Sequence, residues 1–278
     1  MHHLRRTAKL KYSMKDLVSC YGNWAMIAGA AEGIGAAFSR ALAGYGFNLI
    51  LVDKNYSSLN LLAEELDGKK STKIISVQLD LSEENAINIC REKMTDHECG
   101  LLIYIPAFSA VGRFTKYTSI EIDQFLVLNV RTPIHLIHSY LQMRRPGKRT
   151  GVILMSSLAG MVGPALAAPY AATKAFSLLL SESLFYEMKD SKVDILACCA
   201  GPTSTPTYWK SKPRNQSKLI EVMDPADVAA AALKKLGRTP VCIPGWKNRL
   251  IYYFLTRISV KTAGHIVSKS MLEMYPDL

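Results

Sequence analysis

The chain has 278 residues, of which 49% are apolar, and this is enough to build one large α/β core. Its net charge of +11 is concentrated at the ends, because residues 1–20 carry +4 and residues 234–278 carry +6. No apolar run reaches about eighteen residues, which argues against a membrane span, and residues 1–20 lack the apolar core of a signal peptide.

Apolar strand patterns alternate with helical patterns from about residue 23 onward. The strands are predicted at 24–28, 49–52, 74–79, 101–105, 152–155, 193–198 and 241–243, and the helices at 34–43, 57–66, 84–94, 122–141, 170–188 and 225–236. Strands joined by helical crossovers predict an α/β fold: one doubly wound Rossmann domain with a mostly parallel, seven-stranded sheet.

The sequence divides into three parts. Residues 1–21 form a basic N-terminal arm, 22–245 the nucleotide-binding catalytic domain, and 246–278 a basic amphipathic C-terminal extension. Within the domain, the stretch 203–222 contains no strand or long helix pattern. A loop of this length is typical of a substrate-binding lid, although an ordinary surface loop is the alternative.

A glycine-rich turn follows the first predicted strand, with the spacing G-x-x-x-G-x-G over residues 29–35. Glycines let the backbone approach a pyrophosphate, and the N-terminus of the following helix offers free N–H groups and a positive dipole. Because the turn lies between a strand and a helix, it predicts a dinucleotide site.

The second predicted strand ends at Asp53, twenty-four residues after Gly29. A carboxylate there accepts hydrogen bonds from an adenosine ribose and repels a 2′-phosphate, as does Glu32 in the turn, which favours NAD over NADP. Lys54 argues the other way, because it would bind that phosphate if it turned inward. A helix cap or turn is the alternative role of Asp53, and Asp80 is expected at the adenine edge or at the turn before Ser82.

Candidate catalytic residues lie between 157 and 174. Tyr170 and Lys174 are four residues apart in a helical pattern, so they share a helix face. Ser157 follows the fifth strand and would face them across a short loop. A nearby cation stabilises phenolate, so we expect Lys174 to lower the pKa of Tyr170. Alone, the pair would be a solvated surface contact.

Taken together, the glycine turn, Asp80, Asn129, Ser157, Tyr170, Lys174 and the stretch 200–205 resemble the short-chain dehydrogenase/reductase family over about residues 22–245. The opening 21–25 is similar to the branch with 3-ketoacyl reductases and type-12-like 17β-hydroxysteroid dehydrogenases.

The resemblance implies hydride transfer between a nicotinamide cofactor and a carbinol or carbonyl carbon. It makes Tyr170 the acid/base and Ser157 the group that positions the substrate oxygen. It implies that Lys174 binds the nicotinamide ribose and that Asn129 holds a water linking Lys174 to solvent. The implied cofactor-binding set is Gly29, Ala31, Glu32, Gly33, Ile34, Gly35, Asp53, Lys54, Asp80, Leu81, Pro106, Ala107, Tyr170, Lys174, Gly201, Pro202, Thr203 and Thr205.

Three positions depart from the family pattern: Ala28 before the first glycine, Ala200 before Gly201, and the stretch Tyr104–Ala107 in place of Asn-Asn-Ala-Gly after the fourth strand. Pro106 removes a backbone donor there, which puts cofactor affinity in doubt. The catalytic positions are intact, so activity is expected.

The substrate is expected to be a hydrophobic alcohol or ketone of steroid, 3-ketoacyl or sphingoid type. Leu166, Ala167, Pro169, Tyr208 and Trp209 would line its pocket. As in relatives, helices 122–141 and 170–188 would form a homodimer or homotetramer. With no C-x-x-C pair among six cysteines, a cytoplasmic location is expected, and the basic ends leave peripheral membrane contact open. A helix packed over the substrate cleft, or a subunit contact, is the commoner explanation of the amphipathic tail.

Two further expectations concern metals and a rival function. His135 and His138 lie three residues apart, but no third ligand is evident, so no metal site is expected. No motif supports a nucleic-acid partner. The rival to an enzyme is a catalytically weak nucleotide-binding scaffold or sensor at a membrane surface.

Overall fold

The structure is a computed structural model that describes residues 17–67, 72–144, 147–215 and 221–278. The basic residues of the N-terminal arm from 1 to 16 lie outside the described residues. The strands are β1 Trp24–Ala28, β2 Asn48–Asp53, β3 Ile74–Gln78, β4 Leu101–Tyr104, β5 Thr150–Ser157, β6 Val193–Ala200 and β7 Val241–Cys242. All pairings are parallel, in the order β3-β2-β1-β4-β5-β6-β7, which confirms the predicted doubly wound sheet.

Helices cover both faces of this sheet. They are α1 Leu17–Tyr21, α2 Gly33–Tyr45, α3 Tyr56–Leu66, α4 Ala86–Asp96, α5 Ser119–Leu126, α6 Thr132–Gln142, α7 Ala168–Glu187, α8 Pro206–Lys210, α9 Pro225–Lys235, α10 Trp246–Leu255 and α11 Val260–Met274.

Two hydrophobic layers follow from the strand period of two. Ile27 and Leu51 pack with α2 and α9 on one face, and Met26 and Val52 pack with α4 and α6 on the other. Strands buried on both faces need continuous apolar runs, which is why β1, β2, β5 and β6 are so evident in the sequence.

Two predicted segments are corrected. The predicted helix 122–141 is two α-helices, α5 and α6, joined by a π-helical turn, Val127–Arg131, in the middle of which Asn129 lies. The predicted loop after β6 contains α8, whose cap is Thr205. A π turn inserts one extra residue per turn, and its hydrogen-bonding pattern has no signature in apolar periodicity.

The order of the strands reverses at β1, which has β2 on one side and β4 on the other. In such sheets ligands bind outside the carboxyl ends of the strands at this switch point. The glycine turn after β1 therefore lies at the position where an open α/β sheet binds its ligand.

Candidate active site

One large cavity, of about 680 Å³, opens along the carboxyl edge of the sheet. Asp53 and Asp80 line one end, Ser157, Tyr170 and Lys174 line the middle, and side chains from α10 and α11 line the other end. The cavity therefore joins the predicted nucleotide and catalytic residues in one space.

The candidate catalytic residues are brought together by β5 and α7. Ser157 ends β5, and Tyr170 and Lys174 project from successive turns of α7. The Nζ atom of Lys174 lies 5.8 Å from the centre of the Tyr170 ring. The Oγ of Ser157 accepts a hydrogen bond from the Ala159 backbone N–H at 3.2 Å, which begins the turn that leads away from the strand.

Close contacts between the end of β5 and α7 hold these side chains in position. The hydroxyl of Ser156 donates to the backbone carbonyl of Lys174 at 2.7 Å, so the end of β5 is tied directly to α7. A side chain at Gly160 would collide with the backbone of Lys174. The loop after Ser157 therefore lies directly on the helix that carries Tyr170 and Lys174.

Burial dominates the electrostatics of the two α7 side chains. Lys174 is 4% exposed, its Nζ donates to the Met155 carbonyl at 2.8 Å, and burial lowers its pKa to about 8. Burial raises the pKa of Tyr170, and hydrogen bonding to Ser157 opposes that increase. The pKa of Tyr170 is therefore raised rather than lowered as expected, because desolvation is the largest effect on it.

Asn129 lies behind the cavity wall rather than in it. Its side chain is buried; its Oδ1 accepts from the Phe108 N–H at 2.8 Å, and its Nδ2 donates to the Phe108 carbonyl and to Thr173 Oγ1, both at 2.9 Å. Both amide hydrogens are used, so the side chain clamps the segment after β4 against α7. The expected contact of Asn129 with a water cannot use these two donors.

The glycine turn has the shape that a dinucleotide requires. Gly29 and Gly33 adopt positive φ angles of 78° and 54°, and a Cβ on Gly33 would lie 2.7 Å from Thr205 Cγ2. Gly35 and Ala31 do not line the cavity: a side chain at Gly35 would collide with the Gly29 carbonyl. Gly35 therefore allows close packing of α2 on β1, and only part of the turn faces a ligand.

Asp53 holds the turn in place. Its two carboxylate oxygens accept from the backbone N–H groups of Ala31 and Asn55, each at 3.0 Å. The carboxylate of Glu32 accepts from Asn55 Nδ2 and Ser58 Oγ, both at 2.8 Å. Two carboxylates therefore lie side by side at the nucleotide end, and both are anchored by hydrogen bonds.

Lys54 pairs with a third carboxylate, that of Asp80. Its Nζ lies 3.6 Å from Asp80 Oδ2. Burial alone would raise the pKa of Asp80, but hydrogen bonds from the Ser82 backbone and hydroxyl, with Lys54, outweigh it and lower that pKa. Lys54 and Asp80 thus form an ion pair on the cavity rim, and Leu81 lines the cavity beside them.

The stretch Tyr104–Ala107, which replaces the family's Asn-Asn-Ala-Gly, is held by other hydrogen bonds. The hydroxyl of Tyr104 donates to the Leu128 carbonyl at 2.7 Å, and the Ile105 N–H donates to the Ala28 carbonyl at 3.1 Å. Pro106 and Ala107 line the cavity, and the ring of Pro106 lies against Gly29. The segment is therefore anchored to β1 and to the π turn without the two asparagines.

The residues after β6 also line the cavity, but their hydroxyls have protein partners. Thr203 Oγ1 donates to the Gly201 carbonyl at 2.9 Å, and Thr205 Oγ1 accepts from the Tyr208 N–H at 3.2 Å. Gly201 and Pro202 complete this wall. The hydroxyl proton of Thr203 is therefore not available to a ligand in this arrangement.

The tail packs over the far end of the cavity, which is one of the alternatives that its amphipathic pattern left open. The apolar lining of that end comes from the C-terminal helices: Ile251, Leu255, Val267, Met271 and Met274. The last helix is tied over the cavity by hydrogen bonds between Ser268 and Ala165 N–H and between Ser211 and Tyr275. The periodicity of the tail predicted a helix, but its partners are distant in the sequence.

Three of the five residues expected in the substrate pocket do not line it. Ala167 and Tyr208 do, whereas Leu166 packs on Met274 in a small cluster beside the cavity, and Pro169 is absent from the lining. The Trp209 indole is 47% exposed and donates to Ser204 Oγ at 3.1 Å. Because α8 is a helix, its consecutive side chains point in different directions. The sequence predicted a loop here and so did not distinguish Tyr208 from Trp209.

Two further observations concern metals and membranes. His135 and His138 are both exposed on α6, and the described part of the chain contains no group of three or more histidine, cysteine or acidic side chains placed to hold a metal ion. Among the described residues, no helix has the length and apolar character that crossing a bilayer would require.

Comparison with known proteins shows similarity to one family. The family model described as short chain dehydrogenase matches residues 23–216. A 7β-hydroxysteroid dehydrogenase of Clostridium sardiniense is 32% identical over 229 residues, covering 82% of this chain and 88% of that protein. A very-long-chain 3-oxoacyl-CoA reductase-like protein of Arabidopsis thaliana is 31% identical over 241 residues, covering 84% and 77%.

Solved structures show the same fold. A structure from a study of 7β-hydroxysteroid dehydrogenase stereoselectivity superposes with a TM-score of 0.82 at 24% identity, covering 90% of this chain and 98% of that one. A short-chain dehydrogenase from Sphingobium yanoikuyae in complex with NADPH gives a TM-score of 0.74 at 25% identity, covering 84% and 92%.

Proposed function

The chain belongs to the short-chain dehydrogenase/reductase family and is an NAD(P)-dependent oxidoreductase, and we propose that it interconverts a hydrophobic secondary alcohol and its ketone. One observation carries the proposal: Ser157, Tyr170 and Lys174 line the middle of a cavity that has a glycine turn at one end and an apolar wall at the other.

When bound, the nicotinamide cofactor supplies or accepts the hydride. The residues that would hold it are the glycine turn at the pyrophosphate, Asp53 at the adenosine ribose, Asp80 and Leu81 at the adenine edge, and Lys174 at the nicotinamide ribose. The positive φ angles of Gly29 and Gly33 support this, because other residues rarely adopt that backbone conformation.

Each catalytic side chain then has a distinct task. The Ser157 hydroxyl donates a hydrogen bond to the substrate oxygen and fixes its position. In the reductive direction the Tyr170 hydroxyl gives its proton to that oxygen, and in the oxidative direction the phenolate takes it back. Lys174 lies close enough to stabilise the phenolate whenever its ammonium is charged, and burial makes that charge pH-dependent near 8.

We propose NAD as the preferred cofactor. The anchored carboxylates of Asp53 and Glu32 would repel a 2′-phosphate, and Lys54, the cation that would favour NADP, lies beside Asp80. Titration of the purified protein with NADH and NADPH, followed by nicotinamide fluorescence, tests the preference, and tighter binding of NADPH would contradict it.

The proposed substrate is a ketone on a large apolar body, of steroid, 3-ketoacyl or sphingoid type. The methionine and leucine side chains of α10 and α11 match such a body. The Tyr208 hydroxyl is buried in the lining and has no hydrogen-bond partner among the described residues. A buried unpaired hydroxyl is costly, so we assign it to a second polar group of the substrate.

The Tyr170→Phe variant tests the catalytic assignment. It removes the proton donor and keeps the ring, so turnover of a hydrophobic ketone should fall by at least about a hundredfold. NADH binding by fluorescence should change little, because the glycine turn is untouched. If Tyr170→Phe retains wild-type turnover, this site is not catalytic, and the scaffold or sensor function takes its place.

We also propose a homodimer or homotetramer in the cytoplasm, with peripheral membrane contact. Exposed apolar side chains on the predicted contact helices support the oligomer: Ile120 and Leu126 on α5, and Leu179 and Tyr186 on α7, are 51–72% exposed. The absence of disulfides among the six cysteines, all within the described ranges, supports a reducing compartment. Light scattering after size-exclusion chromatography measures the oligomeric state, and a monomer would contradict the proposal.

A further inference from the structure

Helix α10 has two faces of different character. On the inner face Ile251, Tyr252 and Leu255 line the substrate end of the cavity. On the outer face Trp246, Leu250, Tyr253 and Phe254, spaced like one stripe of a helix, are 55–65% exposed. A monomeric protein has little reason to expose four large apolar side chains on two turns of one helix, so this outer face indicates a docking surface.

Positive charge predominates in the segment that contains this outer face. Residues 246–270 contain five cations and no acid: Lys247, Arg249, Arg257, Lys261 and Lys269. The Arg257 guanidinium lies 4.3 Å from the centre of the Tyr253 ring, so it is held next to the apolar stripe. Glu221, which accepts from Lys247 Nζ at 2.8 Å, offsets one of the charges. The surface is thus aromatic, apolar and cationic.

We propose that the outer face of α10 docks on an anionic lipid bilayer, with Trp246, Leu250 and Phe254 in the headgroup region and the flanking cations on the lipid phosphates. Tryptophan, leucine and phenylalanine beside arginine and lysine are the composition of interfacial helices, and anionic headgroups complement the charge. A second copy of the chain is a poor occupant, because a two-fold contact would bring the same cations face to face.

Docking in this way would place the substrate cavity next to the bilayer. The same helix forms the cavity wall and the docking face, so about 10 Å, one helix diameter, separates the two. If the proposed function is right, a lipid-soluble ketone or alcohol would exchange between membrane and cavity over that short distance. The docking itself does not depend on turnover.

The test is co-sedimentation of the full chain with phosphatidylcholine vesicles, with and without 30% phosphatidylglycerol. We expect binding to the anionic vesicles that is at least about tenfold tighter than to the neutral ones and that weakens as salt is raised. The double variant L250S/F254S should bind anionic vesicles at least about tenfold more weakly. Leu61→Ser is the matched control, because Leu61 is 68% exposed on α3, outside the patch.

Two other measurements separate this proposal from its rivals. Turnover of a water-soluble ketone should be the same in L250S/F254S and wild type, because neither side chain lines the cavity. Light scattering gives the oligomeric state of both. Failure of the wild type to bind anionic vesicles overturns the proposal. A double variant that forms a smaller oligomer in solution, with vesicle binding unchanged, also overturns it. That result would mean that the outer face of α10 contacts another copy of the chain.

Discussion

Lys174 carries a cost in stability that its replacement should reveal. Burial lowers its pKa from 10.5 to about 8, which at about 1.36 kcal/mol per pKa unit corresponds to about 3 kcal/mol below pH 8. Lys174→Met keeps the length of the side chain and removes the charge. It also removes the hydrogen bond from Nζ to the Met155 carbonyl, worth about 1 kcal/mol.

The net expectation is a variant that is more stable by about 2 kcal/mol at pH 7. Unfolding entropy near 2.1 cal/mol/K per residue, over 278 residues, is about 0.6 kcal/mol/K, so Tm should rise by about 3–4 °C. Turnover should be lost, because the cation beside Tyr170 is gone. A gain in stability with a loss of activity is the pattern expected of a functional buried charge.

The pH dependence makes the test sharper. The pKa of Lys174 is lower in the folded chain than in the unfolded chain, so the cost is complete below pH 8 and declines as pH rises from 8 to 10.5. The stability difference between variant and wild type should therefore fall to nearly zero by pH 10. Scanning calorimetry at pH 7, 8.5 and 10 measures it.

Lys189→Met provides the control, because Lys189 is exposed just beyond the end of α7. Its Tm should equal that of wild type within about 1 °C at every pH. If Lys174→Met is less stable than wild type at pH 7, or if the difference is constant from pH 7 to 10, burial does not set the pKa of Lys174.

Three further substitutions test residues in or behind the cavity wall. Asp53→Asn removes the charge that would face a 2′-phosphate and keeps an acceptor for the Ala31 N–H. The ratio of NADPH to NADH affinity should therefore rise at least about tenfold in fluorescence titrations. An unchanged ratio would mean that Asp53 does not select the cofactor. Asn129→Ala leaves the Phe108 N–H and carbonyl unpaired. The free energy of unfolding should fall by about 2–4 kcal/mol, which lowers Tm by roughly 3–7 °C. An unchanged Tm would mean that these two hydrogen bonds do not stabilise the fold. Tyr208→Phe should raise KM for a ketone with a second polar group by about tenfold, with kcat nearly constant, and should not affect a ketone that lacks that group.

The sequence is most informative where the chemistry is local. Tyr170 and Lys174 are on adjacent turns of one helix, and the glycine turn joins two consecutive elements, so spacing alone was enough to place them. The apolar far end of the cavity is different, because the position of the last helix depends on pairs such as Ala165–Ser268 and Ser211–Tyr275, more than sixty residues apart. Periodicity shows that a segment is a helix and which face is apolar, but not where the helix packs.

The pKa of Tyr170 could not be predicted from spacing for a related reason. Four residues of helix establish that Lys174 is near, but the sign of the shift depends on burial, which is set by the whole wall of the cavity. Desolvation and a neighbouring cation act in opposite directions on a phenol. The sequence contains the second effect, and only the packed structure contains the first.

The departure after β4 shows how a family site can keep its shape with different residues. Tyr104 and Asn129 both reach between the segment after β4 and the π turn: Tyr104 donates to the Leu128 carbonyl, and Asn129 pairs with both backbone groups of Phe108. These hydrogen bonds hold the chain at Tyr104 and at Phe108, on either side of Pro106, although Pro106 has no backbone N–H to donate. The loss of the two asparagines therefore does not require a loose adenosine pocket, and a micromolar or tighter affinity for NADH is what this anchoring predicts.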